Sequence, residues 1–165
     1  MTSQGAAADR DENAVGPGTY IHATALAIGE AGILIRGPSG AGKSRLALEL
    51  IAEASRRGLF VRLVGDDRIA IAARGGRLIA HGHAAIAGQI ESRGEGILDL
   101  GYEPTAVIRL IIDLRGEGAA APARLPGAPS TTSLCAVDLP LLCLEGPGPQ
   151  QAGMVIGHLL RMGNG

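Results

Sequence analysis

An α/β fold, with a mixed β-sheet and flanking helices, is what this sequence predicts. Three features lead to that expectation. The run ILIRG at 33–37 opens into a glycine-rich loop and then a helical pattern, the order of a strand, a tight turn and a helix. That helix lies between two apolar runs, which calls for a crossover of the kind that joins parallel strands. Elsewhere, apolar runs flank short glycine turns, which calls for antiparallel hairpins and makes the sheet mixed.

Taken in order, residues 1–18 are polar, small and glycine-rich, and they cannot bury enough apolar area to order themselves. They are expected to form a disordered N-terminal tail ahead of a folded domain at 19–165. TYIHATALAI (19–28) reads as a strand, Gly29, Glu30, Ala31 and Gly32 as a hairpin turn, and ILIRG as the strand that feeds the loop. The helix spans about 43–57 and stops at Gly58. Leu46, Leu48, Leu50 and Ile51, with Ala47 and Ala52, give it a broad inner face and leave Arg45, Glu49 and Glu53 for solvent. LFVRLVG (59–65) is a buried strand that ends in Asp66 and Asp67, and RIAIAA with RLIAHG forms a hairpin around Arg74, Gly75 and Gly76. AVIRLIIDL (106–114) is a further strand, 116–129 an alanine, proline and glycine loop expected to be mobile, and VDLPLLCLEG (137–146) a last strand. A closing helix covers 150–162, with Val155, Ile156, Leu159 and Leu160 inward. No internal repeat is present.

Composition narrows the function. At 165 residues and 46% hydrophobic, the chain suits one compact domain with an ample core. One Phe, two Tyr and no Trp leave that core aliphatic and argue against base-stacking platforms. A net charge of −1 gives no basic footprint, so nucleic acid is not expected as a partner. Cys135 and Cys143, separated by seven residues, lack zinc-site spacing and are expected to be buried and reduced. No run approaches the roughly 18–20 apolar residues of a membrane span, and no signal core precedes the first strand. A cytoplasmic protein without membrane contact is the expectation.

The segment at 37–44 carries chemistry. Gly37 and Gly42 bracket Pro38, Ser39, Gly40 and Ala41, so the backbone can curl tightly and aim N–H groups at phosphate oxygens. This is the P-loop pattern, and a nucleoside triphosphate is its ligand. Lys43 would reach the β- and γ-phosphates, Ser44 would fill one position around Mg²⁺, and the following helix would add the positive end of its dipole. A plain glycine turn needs no Lys-Ser pair at its end. Such a loop also needs acids for the metal and, in a kinase, a base. Asp66 and Asp67 stand at the end of an apolar strand, where α/β sheets place ligands, and two adjacent acids call for a cation. In QIESRGEGILDL (89–100), Glu91 and Arg93 precede a glycine bend and suit a metal carboxylate and a phosphate-binding guanidinium.

The order of these blocks, Ile21-His22-Ala23, then GPSGAGKSRLALELI, LVGDD and ESRGEGILDL, resembles HPr kinase/phosphorylase over roughly residues 20–100. The resemblance implies a P-loop catalytic domain related to phosphoenolpyruvate carboxykinase. It also implies ATP- and Mg²⁺-dependent phosphorylation of a serine on the phosphocarrier HPr, hence regulation of carbohydrate and phosphotransferase-system metabolism. By position it implies that His22 is the strand histidine of the active site, Lys43 the catalytic lysine, and Ser44 and Glu91 the metal ligands. Asp67 becomes the base, Asp66 its support or that of the metal, and Arg124 a catalytic arginine. Arg93 and Arg124 are candidates for the incoming side. A hexamer formed through catalytic domains is implied as well. The chain looks like a shortened form with the catalytic domain alone. At 144–150 the family's basic Pro-Gly-Arg-Asn loop corresponds to Leu144, Glu145, Gly146, Pro147, Gly148, Pro149 and Gln150. The missing cations there count against phosphorolysis of phospho-HPr, the family's second activity.

Three rivals compete. Asp113, Leu114, Arg115 and Gly116 formally fit the Asp-x-x-Gly of a GTPase-like switch, but no guanine-reading Asn-Lys-x-Asp follows. A small-molecule nucleotide kinase would want more than Arg109, Arg115, Arg124 and Arg161 after residue 100 for a phosphate lid. A nucleotide-binding regulatory module without turnover would have little use for His22, Asp66, Asp67 and Glu91. His81 and His83 read as solvated turn residues rather than a metal pair.

Overall fold

The computed structural model describes residues 20–116 and 130–164. β1 (Tyr20–Ile21), β2 (Thr24–Ile28) and β3 (Ala31–Arg36) lead into α1 (Lys43–Arg56). β4 (Val61–Gly65), β5 (Ile69–Arg74) and β6 (Arg77–Gly82) follow, then a 3₁₀ turn at Ala84–Ile86. β7 (Gln89–Ser92), β8 (Gly96–Asp99), β9 (Thr105–Leu114), β10 (Ser130–Leu134), β11 (Val137–Leu144) and α2 (Pro149–Gly163) complete the order.

Nine strands form one mixed sheet in the order β1-β5-β6-β9-β3-β2-β4, with β11 on β9 and β10 on β11. The ten-residue β9 is its hinge line. Its first half pairs antiparallel with β6 and its second half parallel with β11, while β3 runs parallel along the other edge. The expected crossover through α1 exists, but β2 lies between its two strands and is antiparallel to both. β3 and β4 therefore run in the same direction without touching. β7 and β8 form a separate hairpin.

Alternation along the strands divides the apolar residues into two cores. Ile33 and Ile35 of β3 and Leu110 and Ile112 of β9 meet Leu46, Ala47 and Leu50 of α1 and Val155 and Ile156 of α2. On the opposite face no described helix contributes. There Ala23, Ala25 and Ala27 meet Leu34, Ile71, Leu78, Ile108, Ile111 and Leu139, so the second core is built from strands and the turns beside them.

Several expectations need correction. The strand at 19–28 breaks at His22, which turns Ala23 into the second core and lets β2 start at Thr24. Ser130–Leu134 is a strand that the alanine and proline composition before it obscured. Its hairpin with β11 turns on Cys135 and Ala136, both with left-handed backbone (φ 52° and 60°) and neither a glycine that would signal it. Cys135 is buried as expected, whereas Cys143 is exposed. Leu160 points outward, 45% exposed, because α2 packs through Ala152, Val155, Ile156 and Leu159. Ala52 of α1 is exposed, and Ala54 is buried instead. The readings for 1–18, for most of 116–129 and for Arg124 lie outside the described residues. No helix among the described residues is long and apolar enough to cross a membrane.

Candidate active site

β3 delivers the chain to the glycine loop in the middle of the sheet, flanked by β9 and β2. Gly37 passes tightly beside the end of β9, where a Cβ would lie 2.7 Å from the Leu114 carbonyl oxygen. Gly42 caps α1 in the left-handed region (φ 99°), where a Cβ would also strike Pro147 at 2.6 Å. Both positions therefore exclude any side chain.

α1 begins with its amides free of side-chain caps and with no acid in its first turn. Its first intrahelical bond is Leu46 N–H to the Gly42 carbonyl at 2.9 Å, which leaves the Lys43, Ser44 and Arg45 amides ahead of it. That end of the helix is built for an anion. Lys43, only 7% exposed, donates from its ammonium to the carbonyls of Gly37 (2.8 Å) and Pro38 (3.2 Å). Burial pulls its pKa below the ordinary lysine value, and the charges of Asp66 and Asp67 oppose that pull.

The acids at the end of β4 have separate environments. Asp66 is buried, 8% exposed, and its carboxylate accepts the Ser44 hydroxyl at 2.9 Å to each oxygen. It also accepts the hydroxyl of Thr24 at 2.7 Å, a fully buried side chain on β2. Asp67 has a left-handed backbone (φ 71°), and its carboxylate meets the His22 imidazole at Nε2. Both partners are more than half exposed. The break in the strand at His22 is what allows this approach.

Glu91 and Arg93 are placed differently. Ile90 of β7 is buried in the helix-side core, so alternation sends Glu91 to the opposite, exposed face of the hairpin. Neither the Glu91 nor the Arg93 side chain has a hydrogen bond or ion pair among the described residues. No group of three or more His, Cys, Asp and Glu side chains there is gathered closely enough to hold a metal. The structure thus brings together Lys43, Ser44 and Asp66, and separately His22 and Asp67, without Glu91. Thr24 escaped the sequence reading because a threonine in an apolar strand signals only β-propensity. Asp113 is engaged by Arg36, which forks onto both carboxylate oxygens at 2.7 and 2.9 Å across the β3–β9 register. A switch aspartate would need to be free.

Ser44 and Asp66 fit Mg²⁺, which takes one or two carboxylates and keeps water and phosphate oxygens as its other ligands. The open α1 amides and the buried lysine fit a polyphosphate. The fold and this loop define the class: a mixed-sheet α/β protein with a glycine-rich loop between its central strand and a helix.

The particular family follows from comparison. The model of the HPr Serine kinase C-terminal domain matches residues 13–144, and the chain belongs to that family. It is 43% identical over 84 residues to HPr kinase/phosphorylase of Clostridium beijerinckii, a match covering 51% of this chain and 26% of that protein. It is 36% identical over 100 residues to HPr kinase/phosphorylase of Mycoplasma mycoides, covering 56% and 30% respectively. The matched region is thus between a quarter and a third of the length of these relatives. Among solved structures, the Hpr(Ser) kinase/phosphatase from Coxiella burnetii superposes with a TM-score of 0.68 at 28% identity, covering 87% of this chain and 98% of that one.

Proposed function

We propose that the protein is an ATP- and Mg²⁺-dependent serine kinase acting on an HPr-like phosphocarrier in the cytoplasm, as a homo-oligomer in keeping with its family. One observation carries the reading. The buried lysine, the Ser44 hydroxyl and the Asp66 carboxylate converge at the open end of α1, while a second carboxylate stands beside them on an exposed rim with a histidine. The first set holds a triphosphate and its cation; the second faces a protein substrate.

In this reading residues 37–44 hold the phosphates, and Ser44 and Asp66 are on the metal side. Bound Mg²⁺ would neutralise charge on the phosphates. Asp67 takes the proton from the substrate serine as its oxygen forms the bond to the γ-phosphorus and the bond to the β–γ bridging oxygen breaks, releasing ADP. His22 orients that carboxylate. Lys43 stabilises charge on the transferring group. Glu91 and Arg93, on the exposed hairpin, are assigned to the incoming phosphocarrier's side, with Arg124. Phosphorolysis is not part of the proposal. Pro147 sits against Gly42 at the loop, and residues 144–150, the segment that lacks the family's basic residues, carry no cationic side chain.

The test is to incubate the protein with labelled ATP, Mg²⁺ and purified HPr and to locate the label. Label on serine is expected. Label on a nucleoside monophosphate would mean a nucleotide kinase, and bound but untransferred ATP a regulatory module. Asp67→Asn is expected to bind ATP normally and to lose about 10²–10⁴-fold in turnover, as removal of a general base does. Asparagine tolerates the left-handed backbone there, so the fold is spared.

A further inference from the structure

We infer that Thr24 is a positioning residue for the metal site: its buried hydroxyl fixes the Asp66 carboxylate so that one oxygen is held by the protein and the other is presented to the cation. The inference rests on the proposed nucleotide site and assigns that site a partner from a different strand.

Thr24 is fully buried and is the first residue of β2, in register with Ile35 of β3. Its hydroxyl donates to Asp66 Oδ1 at 2.7 Å. Asp66 Oδ2 receives only the Ser44 hydroxyl, which is shared between both oxygens at 2.9 Å. The two hydroxyls have different fates on loading. Ser44 stands in the first turn of α1, just past the loop, and a hydroxyl that ligates a cation turns its oxygen to the metal and releases Asp66. Thr24 belongs to the sheet, behind the carboxylate, and keeps its bond. Asp66 then has Oδ1 anchored and Oδ2 bare at the position Ser44 leaves. A carboxylate without that anchor can rotate about its terminal torsion, which is broad and two-fold.

The geometry also accounts for a threonine here rather than valine. The strand needs a β-branched side chain in the apolar layer, and a buried hydroxyl is tolerated only when hydrogen-bonded. Asp66 provides that partner. Anchoring groups of this kind behind metal-binding carboxylates typically change metal affinity or activity by 10–100-fold.

The test compares Thr24→Val, which keeps shape and β-propensity but removes the donor, with Thr24→Ser, which keeps the donor. Binding of Mn²⁺ to the protein with ADP is followed by electron paramagnetic resonance, and thermal unfolding is followed in parallel. Thr24→Val is expected to weaken Mn²⁺ binding about 10–100-fold, with ADP binding in the absence of metal unchanged, and Thr24→Ser to restore most of the loss. Unaltered Mn²⁺ affinity in a folded Thr24→Val protein would overturn the inference while leaving the nucleotide site intact. If the unmodified protein itself bound no Mn²⁺ with nucleotide, the site reading would fail first. If Thr24→Val did not fold, Thr24→Ala and Thr24→Ser decide the matter by the same measurement, since only serine retains the donor.

Discussion

Lys43 is the only lysine in the sequence, and it is held in the interior by two loop carbonyls and two nearby acids. Folding lowers its pKa, chiefly through burial, so the folded state gives up this proton at a lower pH than the unfolded chain does. Between the folded value and the ordinary lysine value the unfolded state binds more protons, and stability rises with pH across that window. Below it, the desolvated charge weighs on the nucleotide-free protein. Unfolding midpoints measured against pH should therefore rise on the alkaline side for the unmodified protein and lose that increment in Lys43→Met. An identical pH profile for the two would mean that burial of this charge has no cost. The same residue illustrates what a sequence can and cannot reveal. The loop was legible from Gly37 to Ser44 because backbone constraints and charge fix those residue types locally. The partners of Ser44 and Asp66 were not, since a hydroxyl on β2 and a carboxylate after β4 meet only when the sheet is assembled.

At the level of elements, α1 and α2 were legible from their period, yet details of their faces were not. A helical stripe shows which residues can share a face, while the neighbour decides where the face is centred. α2 lies against α1 through Ala152, Val155, Ile156 and Leu159, which leaves Leu160 on the outer border of the stripe. Ile156→Ala should lower stability by about 2–5 kcal/mol, the range for deleting a fully buried aliphatic side chain. Leu160→Ala should change it by about 0.5 kcal/mol or less, as an exposed site does. Urea midpoints at constant m-value read both directly. Equal losses would place Leu160 in the core, as the period alone implied. The β7–β8 hairpin shows the opposite problem. Its four-residue strands and glycine bend are too short for a periodic signal, so Glu91 could be recognised by its motif but not placed.

The described residues form one large sheet with a core on each side, beside the small β7–β8 hairpin, and that arrangement predicts how the molecule unfolds. α1 and α2 depend on the first core, whereas Cys135 reports the second, where neither of these helices contributes. Five strands belong to both, β4 and β11 at the borders and β2, β3 and β9 at the centre: Leu26, Ile33 and Ile112 face the helices, while Ala25, Leu34 and Ile111 of the same strands face the second core. Neither core can melt while β2, β3 and β9 stay paired, and those strands cannot stay paired once either face is exposed to water. A single cooperative transition follows. In a Cys143→Ser background, urea unfolding by helical circular dichroism and by the reactivity of the Cys135 thiol should give one midpoint. Leu46→Ala, made only in the helix-side core, should move both probes together by about 2–5 kcal/mol. Separation of the midpoints, with the helices lost before Cys135 becomes reactive, would show that the second core stands alone. Asp66 and Asp67, which follow β4, would then be independent of the loop that follows β3. Coupling through β2, which lies between those strands and carries Thr24, is what ties the two halves of the site to one stability.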